Sequence, residues 1–240
     1  MIKIENVEVS GWKPAIRGMR NPMNSWDKSD TNIYAMGYPA IGDNDLKLMQ
    51  QLARQGSVHG KYLRMINVTC DITAPLYWWK EFDTYRAGVT PNPMDIETNS
   101  CSTMHKIHAK EFTLDDFSHE QLYVGAKETL CKVIDRLNYW RNEFLESRLK
   151  EDWWQMIQLL PSSYNQKRTV QLNYEVLRNI CTYRSNHKLD EWVEFCKWAK
   201  SLPYFNEIFG DDKTYENKYT ILKTEEYEEM VELIRTFKKV

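Results

Sequence analysis

Between residues 66 and 72 apolar and polar side chains alternate, with Ile66, Val68, Cys70 and Ile72 set against Asn67, Thr69 and Asp71. A period of two predicts a strand with one buried face. Pro75 ends the alternation. Trp78, Phe82 and Tyr85 then fall at i, i+4 and i+7, which predicts a helix that starts near Pro75, turns an aromatic stripe inward and ends close to Arg86. Gly88, Pro91, Asn92 and Pro93 predict a loop behind it. From Gly56 to Lys106 the chain therefore reads as strand, helix and loop. It opens on a lone His59 and delivers Lys80, Tyr85, Arg86 and a return rich in Ser, Thr and His to the helix end. Such a place suits an anion or a nucleotide.

Around this stretch the patterning predicts further elements. Ile2 to Val9 alternate as a short first strand, whereas the glycines, prolines and turn residues of 11–30 predict an irregular segment in which Arg17, Arg20 and Trp26 are free to contact a ligand or simply to order a loop. Asp43 or Asn44 is placed to cap a helix running to Gln55, with Leu46, Met49 and Ala53 on one face, Gly56 as its stop and the 66–72 strand beside it. Ser118-x-x-Gln121 has the form of a capping box. Behind it Leu122, Ala126, Leu130, Val133, Leu137, Trp140 and Phe144 recur every three or four residues, predicting the longest helix. A shorter helix through Trp153, Trp154 and Ile157 ends at Pro161. The next carries Asn173, Val176, Leu177, Ile180, Cys181 and Arg184, and an eleven-residue spacing, about three turns, sets Asn173 and Arg184 on one edge. Another, Asp190 to Leu202, offers Trp192, Phe195, Cys196 and Ala199 to a core, and the tail holds an amphipathic stretch from Thr224 to Lys238.

Composition narrows the function classes. With 240 residues, 42% of them apolar and 28% charged, one globular domain spanning 1–240 is expected. A net charge of -2 gives no general attraction to nucleic acid or to an anionic membrane surface, so phosphate recognition has to be local. No run approaches the ~20 apolar residues of a membrane span, and the first ten residues lack a signal-peptide core. Five scattered cysteines predict reduced thiols, and the reading places the protein in the cytoplasm.

The residues with chemistry to offer are few. Arg86 and Arg184 each present a planar fork that pairs with phosphate or with a pyrimidine carbonyl, and each is equally able to pair with a nearby carboxylate. Cys101, His105 and His108 are spaced C-x3-H-x2-H, three ligands that would need His119 or a carboxylate to close a zinc site. The pairs do not repeat as zinc signatures do, so the expectation is no metal. Nine Trp and fourteen Tyr can stack on planar ligands or build a core. Glycine-rich dinucleotide and P-loop motifs and H-E-x-x-H are missing.

Laid end to end, these features resemble the flavin-dependent thymidylate synthases. That family has an apolar strand, a helix ending in Arg-Gln-x-x-Arg-His-Arg, and a loop with Asn-x-x-Ser-x-x-Tyr. Here the helix end is Lys80-Glu81-Phe82-Asp83-Thr84-Tyr85-Arg86, which keeps only the last arginine. The loop is Asn99-Ser100-Cys101-Ser102-Thr103-Met104-His105, reached after an insertion around PNPMDIET. A proline turn, then Asn and Arg eleven residues apart, match Pro161, Asn173 and Arg184. The resemblance covers about 55–200 and leaves 211–240 as a C-terminal extension.

The resemblance implies an α+β fold, a small mainly antiparallel sheet with several long helices, assembled as a homotetramer with flavin between chains. It implies FAD as cofactor, NADPH and methylenetetrahydrofolate as co-substrates, and a deoxyuridine nucleotide, dUMP, as acceptor of the one-carbon unit. On this chain Arg184 and Ser102 stand at the catalytic positions. Arg86, Lys80 and Glu81 join them in binding substrate, and Asn173, Tyr85, Thr84 and His59 stand where the flavin is held. Two other readings stay open: a noncatalytic nucleotide-binding or scaffolding protein on the same fold, and an enzyme of that fold acting on another nucleotide.

Overall fold

The computed structural model describes residues 1–34, 37–87, 97–102 and 105–210; for 86, 87 and 97 it describes the backbone alone. The expected loop at 88–93 and the expected helix at 224–238 lie outside these residues. In chain order the elements are β1 (Lys3–Ser10), α1 (Trp12–Arg20), β2 (Asn32–Ile33), β3 (Pro39–Ala40), α2 (Asp43–Arg54), β4 (Asn67–Pro75), α3 (Leu76–Phe82), α4 (Thr84–Ala87) and β5 (Glu97–Ser100). They continue as α5 (Val124–Ser147), α6 (Lys150–Leu159), β6 (Asn165–Asn173), α7 (Tyr174–Arg184), α8 (Asp190–Lys200) and α9 (Phe205–Phe209). Of the described helices only α5, with 24 residues, is long; the others have 12 or fewer, so the expected set of long helices reduces to one.

The alternating stretch is the strand that holds the sheet together. Ile66, Val68, Cys70 and Ile72 are all at most 1% exposed, and β4 pairs antiparallel with β1 on one side and β6 on the other, in the order β1-β4-β6-β5. Every pairing in this sheet is antiparallel. Strand β6 is not apparent in the sequence, because its run of Asn, Gln, Lys, Arg and Thr hides the alternation; only Gln166, Val170 and Leu172 mark the buried face, in register with Ala74, Cys70 and Val68. The polar face is cross-linked instead. Asp71 accepts from Thr169 Oγ1 (2.7 Å) and Asn6 Nδ2 (2.9 Å) and pairs with Lys167 (3.1 Å), and these hydrogen bonds hold its carboxyl down at about 2.

Helices cover the apolar face. The predicted stripe of α3 and α4 is buried, Trp78 and Phe82 completely and Tyr85 at 5%. Trp78 meets Trp192 of α8 at 4.8 Å and Phe82 at 5.0 Å between ring centres, while Trp79 Nε1 donates to the Gln166 carbonyl (2.9 Å) and ties α3 to β6. A second cluster under α5 and α6 joins Phe112, Phe117, Leu130, Ile134, Leu137 and Met156. The Ser118–Gln121 capping box does not form, since α5 begins at Val124 with Tyr123 before it. Ser118 Oγ donates to Asn165 (2.8 Å) and Gln121 to Asp190 (3.1 Å): both side chains are spent on tertiary contacts.

Residues 11–30 are also not what their glycines and prolines predict. Trp12–Arg20 is a helix, because Trp12, Ala15, Ile16 and Met19 supply a buried i, i+3, i+4, i+7 stripe, and Pro14 sits in the first turn, where its missing N–H costs nothing. Gly11 is required there: its φ is +88° and a Cβ would stand 1.8 Å from the Met65 carbonyl oxygen. Helix α2 turns Met49 and Ala53 into the same core, against α1 and α9 rather than beside β4, and ends at Gly56 (φ +81°) as predicted. Its cap comes from a distance. Neither Asp43 nor Asn44 caps it; the Asp30 carboxylate accepts from the amides of Asn44 (2.9 Å) and Asp45 (3.1 Å).

Asp45, fully buried, pairs with the buried Arg20 at 2.6 Å and also accepts from Ser29 Oγ (2.7 Å) and the amides of Asp30 and Thr31. Burial pushes its carboxyl up, but hydrogen bonds from Thr31, Ser29 and Arg20 outweigh it, and the net shift is downward. Removing one partner of a buried pair strands the other charge, so Asp45→Ala is expected to lower unfolding stability by ~3–5 kcal/mol in a denaturant titration. A depressed carboxyl stabilises the fold above its unfolded pKa of about 3.9 and stops doing so as pH falls through the folded value. The gap between wild type and variant should therefore close below about pH 4.

Candidate functional site

Helix α3 ends at Asp83, and the chain turns at once into α4. The break is held on both sides: Thr84 Oγ1 donates to the Glu81 carbonyl (2.6 Å), and Arg168 of β6 pairs with the Asp83 carboxylate (2.8 Å). It presents Glu81 and Tyr85 on one side, opposite the end of α7.

There Arg184 closes the site. Its Nε donates to the Tyr85 hydroxyl (2.7 Å), its Nη1 lies 3.3 Å from Glu81 Oε2, and the guanidinium carbon stands 5.2 Å from the Trp192 ring centre and 5.6 Å from that of Tyr85. Trp192 Nε1 donates to the same Glu81 oxygen (3.1 Å), and His187 Nε2 lies 3.7 Å from it. His187 Nδ1 accepts from the Leu189 amide (3.2 Å), so in the neutral ring the proton sits on Nε2, aimed at Glu81. Burial raises the Tyr85 pKa, against the pull of the Arg184 charge, and the phenol stays neutral as an acceptor for the guanidinium.

Five side chains with polar tips thus meet at one edge. Arg184 and His187 have side chains 23% exposed and Glu81 36%, so a ligand can reach the charged tips while the rings behind them stay dry. Among the described residues Nη2 of Arg184 has no hydrogen-bond partner. The carboxylate balances the guanidinium, and a ligand that binds here has either to use the remaining N–H donors or to displace Glu81.

Lys80 is exposed on the last turn of α3. Arg86 follows Tyr85 in α4, its side chain outside the description. Ser102, exposed just beyond β5, accepts from the His105 amide (2.9 Å). Asn173 is not within α7 but caps it: 3% exposed, its Oδ1 accepts from the Val176 amide (3.0 Å), and the eleven-residue helix, about 16 Å long, separates it from Arg184. His59 is exposed in the turn after α2; that turn is bound through Arg64 to Glu175, at the start of α7. The site at Arg184 therefore gathers Glu81 and Tyr85, with Thr84 bound to the Glu81 backbone behind them, and neither Asn173 nor His59 is among its contacts.

Arg168 is the residue that sequence reasoning overlooked. Its guanidinium lies 4.3 Å from the Trp79 ring centre, its Nε donates to Gln166 (2.9 Å), and Gln166 donates to the Cys101 carbonyl (2.8 Å). One chain of contacts thus connects the edge that carries Ser102 to Asp83 at the α3–α4 break. Only recognition of β6 as a strand would have exposed it. His187 and Trp192 were visible as residues but not as partners of Glu81. Cys101, His105 and His108 form no metal cluster, and among the described residues no group of three or more His, Cys, Asp or Glu is arranged to hold an ion.

No family model and no curated protein matches the sequence. Among solved structures the fold is similar to flavin-dependent thymidylate synthase ThyX from Helicobacter pylori, complexed with FAD and dUMP. One such structure has a TM-score of 0.62 at 16% identity, covering 87% of this chain and 98% of the other. A second has a TM-score of 0.62 at 18% identity, covering 88% and 98%. At these identities the likeness establishes the fold: an α+β chain built around a small antiparallel sheet, like that of ThyX.

Proposed function

We propose that this chain is a divergent thymidylate synthase of the flavin-dependent type, a single domain over 1–240 that works in the cytoplasm as a homotetramer and takes a deoxyuridine nucleotide at the Arg184 edge. The observation that supports it most is Arg184. It ends α7 with an N–H pair free among the described residues, beside Tyr85 and Trp192, on a fold whose Helicobacter pylori relatives are complexed with FAD and dUMP. No described helix is long and apolar enough to cross a membrane.

In this reading Arg184 hydrogen-bonds a uracil carbonyl and stabilises the negative charge that develops on the ring, Ser102 positions the nucleotide, and Arg86 with Lys80 answers its phosphate. Glu81 holds the guanidinium in place until the nucleotide arrives. Bound FAD would carry the one-carbon unit from methylenetetrahydrofolate to dUMP, with NADPH as the source of electrons. The fit of the chain to a flavin is partial. Thr84 and His59 are exposed and able to touch it, while Tyr85 is buried under Arg184 and the Asn173 oxygen is committed to its cap.

A second reading is a noncatalytic nucleotide-binding or scaffolding protein on the same fold, and the Glu81–Arg184 pair favours it. A carboxylate stands where the resemblance expects glutamine, and it neutralises the guanidinium that the substrate would need. An enzyme acting on another nucleotide would share the flavin but not the product.

Flavin retention divides these readings. Incubation of the purified protein with FAD followed by gel filtration should leave the visible flavin band with the protein, and methyl transfer to dUMP should follow; a colourless protein sinks the synthase reading. Arg184→Ala should weaken dUMP binding by ~1.5–3 kcal/mol, roughly ten- to a hundredfold by calorimetry. Unchanged binding would refute the assignment. Conversely Glu81→Gln removes the competing charge while keeping the side chain's shape, and should tighten dUMP several-fold.

A further inference from the structure

A second concave site is lined by α1 and the residues that follow it. Between α1 and the segment 26–33 is a cleft of about 370 Å³, within the ~300–1,000 Å³ of small-molecule pockets, and it shares no lining residue with the Arg184 edge. Ile16 and Ile33 form an apolar part of its wall; Ser29, Thr31 and Asn32 bring hydroxyls and an amide.

Of its three lining cations Arg20 is paired with Asp45, and Lys13 and Arg17 are uncompensated. Lys13 and Arg17 sit four apart on α1, hence on one face, and both are exposed. Among the described residues neither has a hydrogen-bond or ion-pair partner. The carboxylates nearby are already used: Asp45 by Arg20, and Asp30 by the amides of α2. Asp27 is not part of the lining.

The ring of the site is Trp26. It is 51% exposed, yet its indole Nε1 donates to Asn21 Oδ1 (2.8 Å), which fixes the plane of a large flat side chain beside two cations. The wall behind it is held from the interior. Arg20 Nη1 donates to the Ser25 carbonyl (3.1 Å), and Asp45 binds Ser29, Asp30 and Thr31, so the buried ion pair secures both ends of the segment that carries Trp26. This gives the costly burial of Arg20 and Asp45 a use beyond stability: it preorganises a recognition surface.

We propose that this cleft binds a nucleoside monophosphate, with the base against the Trp26 indole and the phosphate between Lys13 and Arg17. Two cations at helical spacing match the charge of one phosphate, the polar wall matches a sugar, and the volume admits a single small ligand. The site does not depend on the reading of the Arg184 edge.

Titration calorimetry on the full chain tests it, with the purine nucleotides AMP and GMP and with inorganic phosphate as probes, since a uridine nucleotide is also the ligand proposed for the Arg184 edge. At least one nucleotide should bind saturably and more tightly than inorganic phosphate, which should compete with it. The double variant Lys13→Ala/Arg17→Ala, at two exposed positions, should weaken that binding by about tenfold or more. Trp26→Ala should weaken it similarly and Trp26→Phe much less, while Arg184→Ala should change it less than twofold. Circular dichroism checks that each variant is folded. The proposal is overturned if neither nucleotide binds, if the better one binds no tighter than inorganic phosphate, or if binding survives the double variant and is lost with Arg184→Ala.

Discussion

A strand whose every second residue is sealed from water can be paired in only one register, because a slip by one residue would carry Ile66, Val68, Cys70 and Ile72 to the polar face and Asp71 into the core. That constraint on β4 organises the rest. It sets β1 and β6 on its two sides, and β6 in turn brings β5 and the Ser102 edge. The chain that leaves β4 at Pro75 becomes α3, which packs on the apolar face and, with α4 behind it, delivers Glu81 and Tyr85 to the site. The chain that leaves β6 becomes α7 and brings Arg184 to meet them. Two strands in register thus aim two helices at one point, and the polar tips of the site meet without any glycine-rich loop.

How much of this a reader of the sequence can see depends on how loudly each element states its period. The four apolar residues of β4 and the stripe of Trp78, Phe82 and Tyr85 are legible because burial on one face demanded them, and so are the core positions of α8. The strand β6 is not, because the side chains of its exposed face, Lys167 and Thr169, serve Asp71, and its hydrophobic face is interrupted by Gln166, whose amide is needed at Cys101. Helix α1 was hidden by its punctuation: Gly11 and Pro14 look like breakers, but one is required by a close approach to Met65 and the other stands where a helix tolerates proline. Long-range caps are illegible in principle. Nothing local to Asp43 tells that Asp30 will hold the start of α2.

The site was legible in its residue types more than in its partnerships. Arg184, Tyr85 and Glu81 are singled out by sequence, but their mutual contact depends on α3 and α7 converging over a hundred residues of chain. Asn173 shows the converse. Its spacing from Arg184 is real, yet the helix begins one residue after it, and a residue at a cap faces the backbone it caps.

Of the arginine–carboxylate pairs among the described residues, Arg20–Asp45 and Arg184–Glu81 differ in one property, and it decides what each can do. Arg20 and Asp45 are buried, and the carboxylate is further held by a hydroxyl and two amides. No solute can compete for them, and breaking the pair would strand a charge. Arg184 and Glu81 are a quarter to a third exposed and 3.3 Å apart, with a second phenol contact on the arginine and two ring N–H groups near the carboxylate. If an anion or a carbonyl takes the guanidinium, Glu81 keeps the Trp192 indole and the His187 imidazole and is left with partners. The exchange leaves neither charge orphaned. That is the physical reason to propose ligand recognition at Arg184, while the Arg20 pair orders the fold.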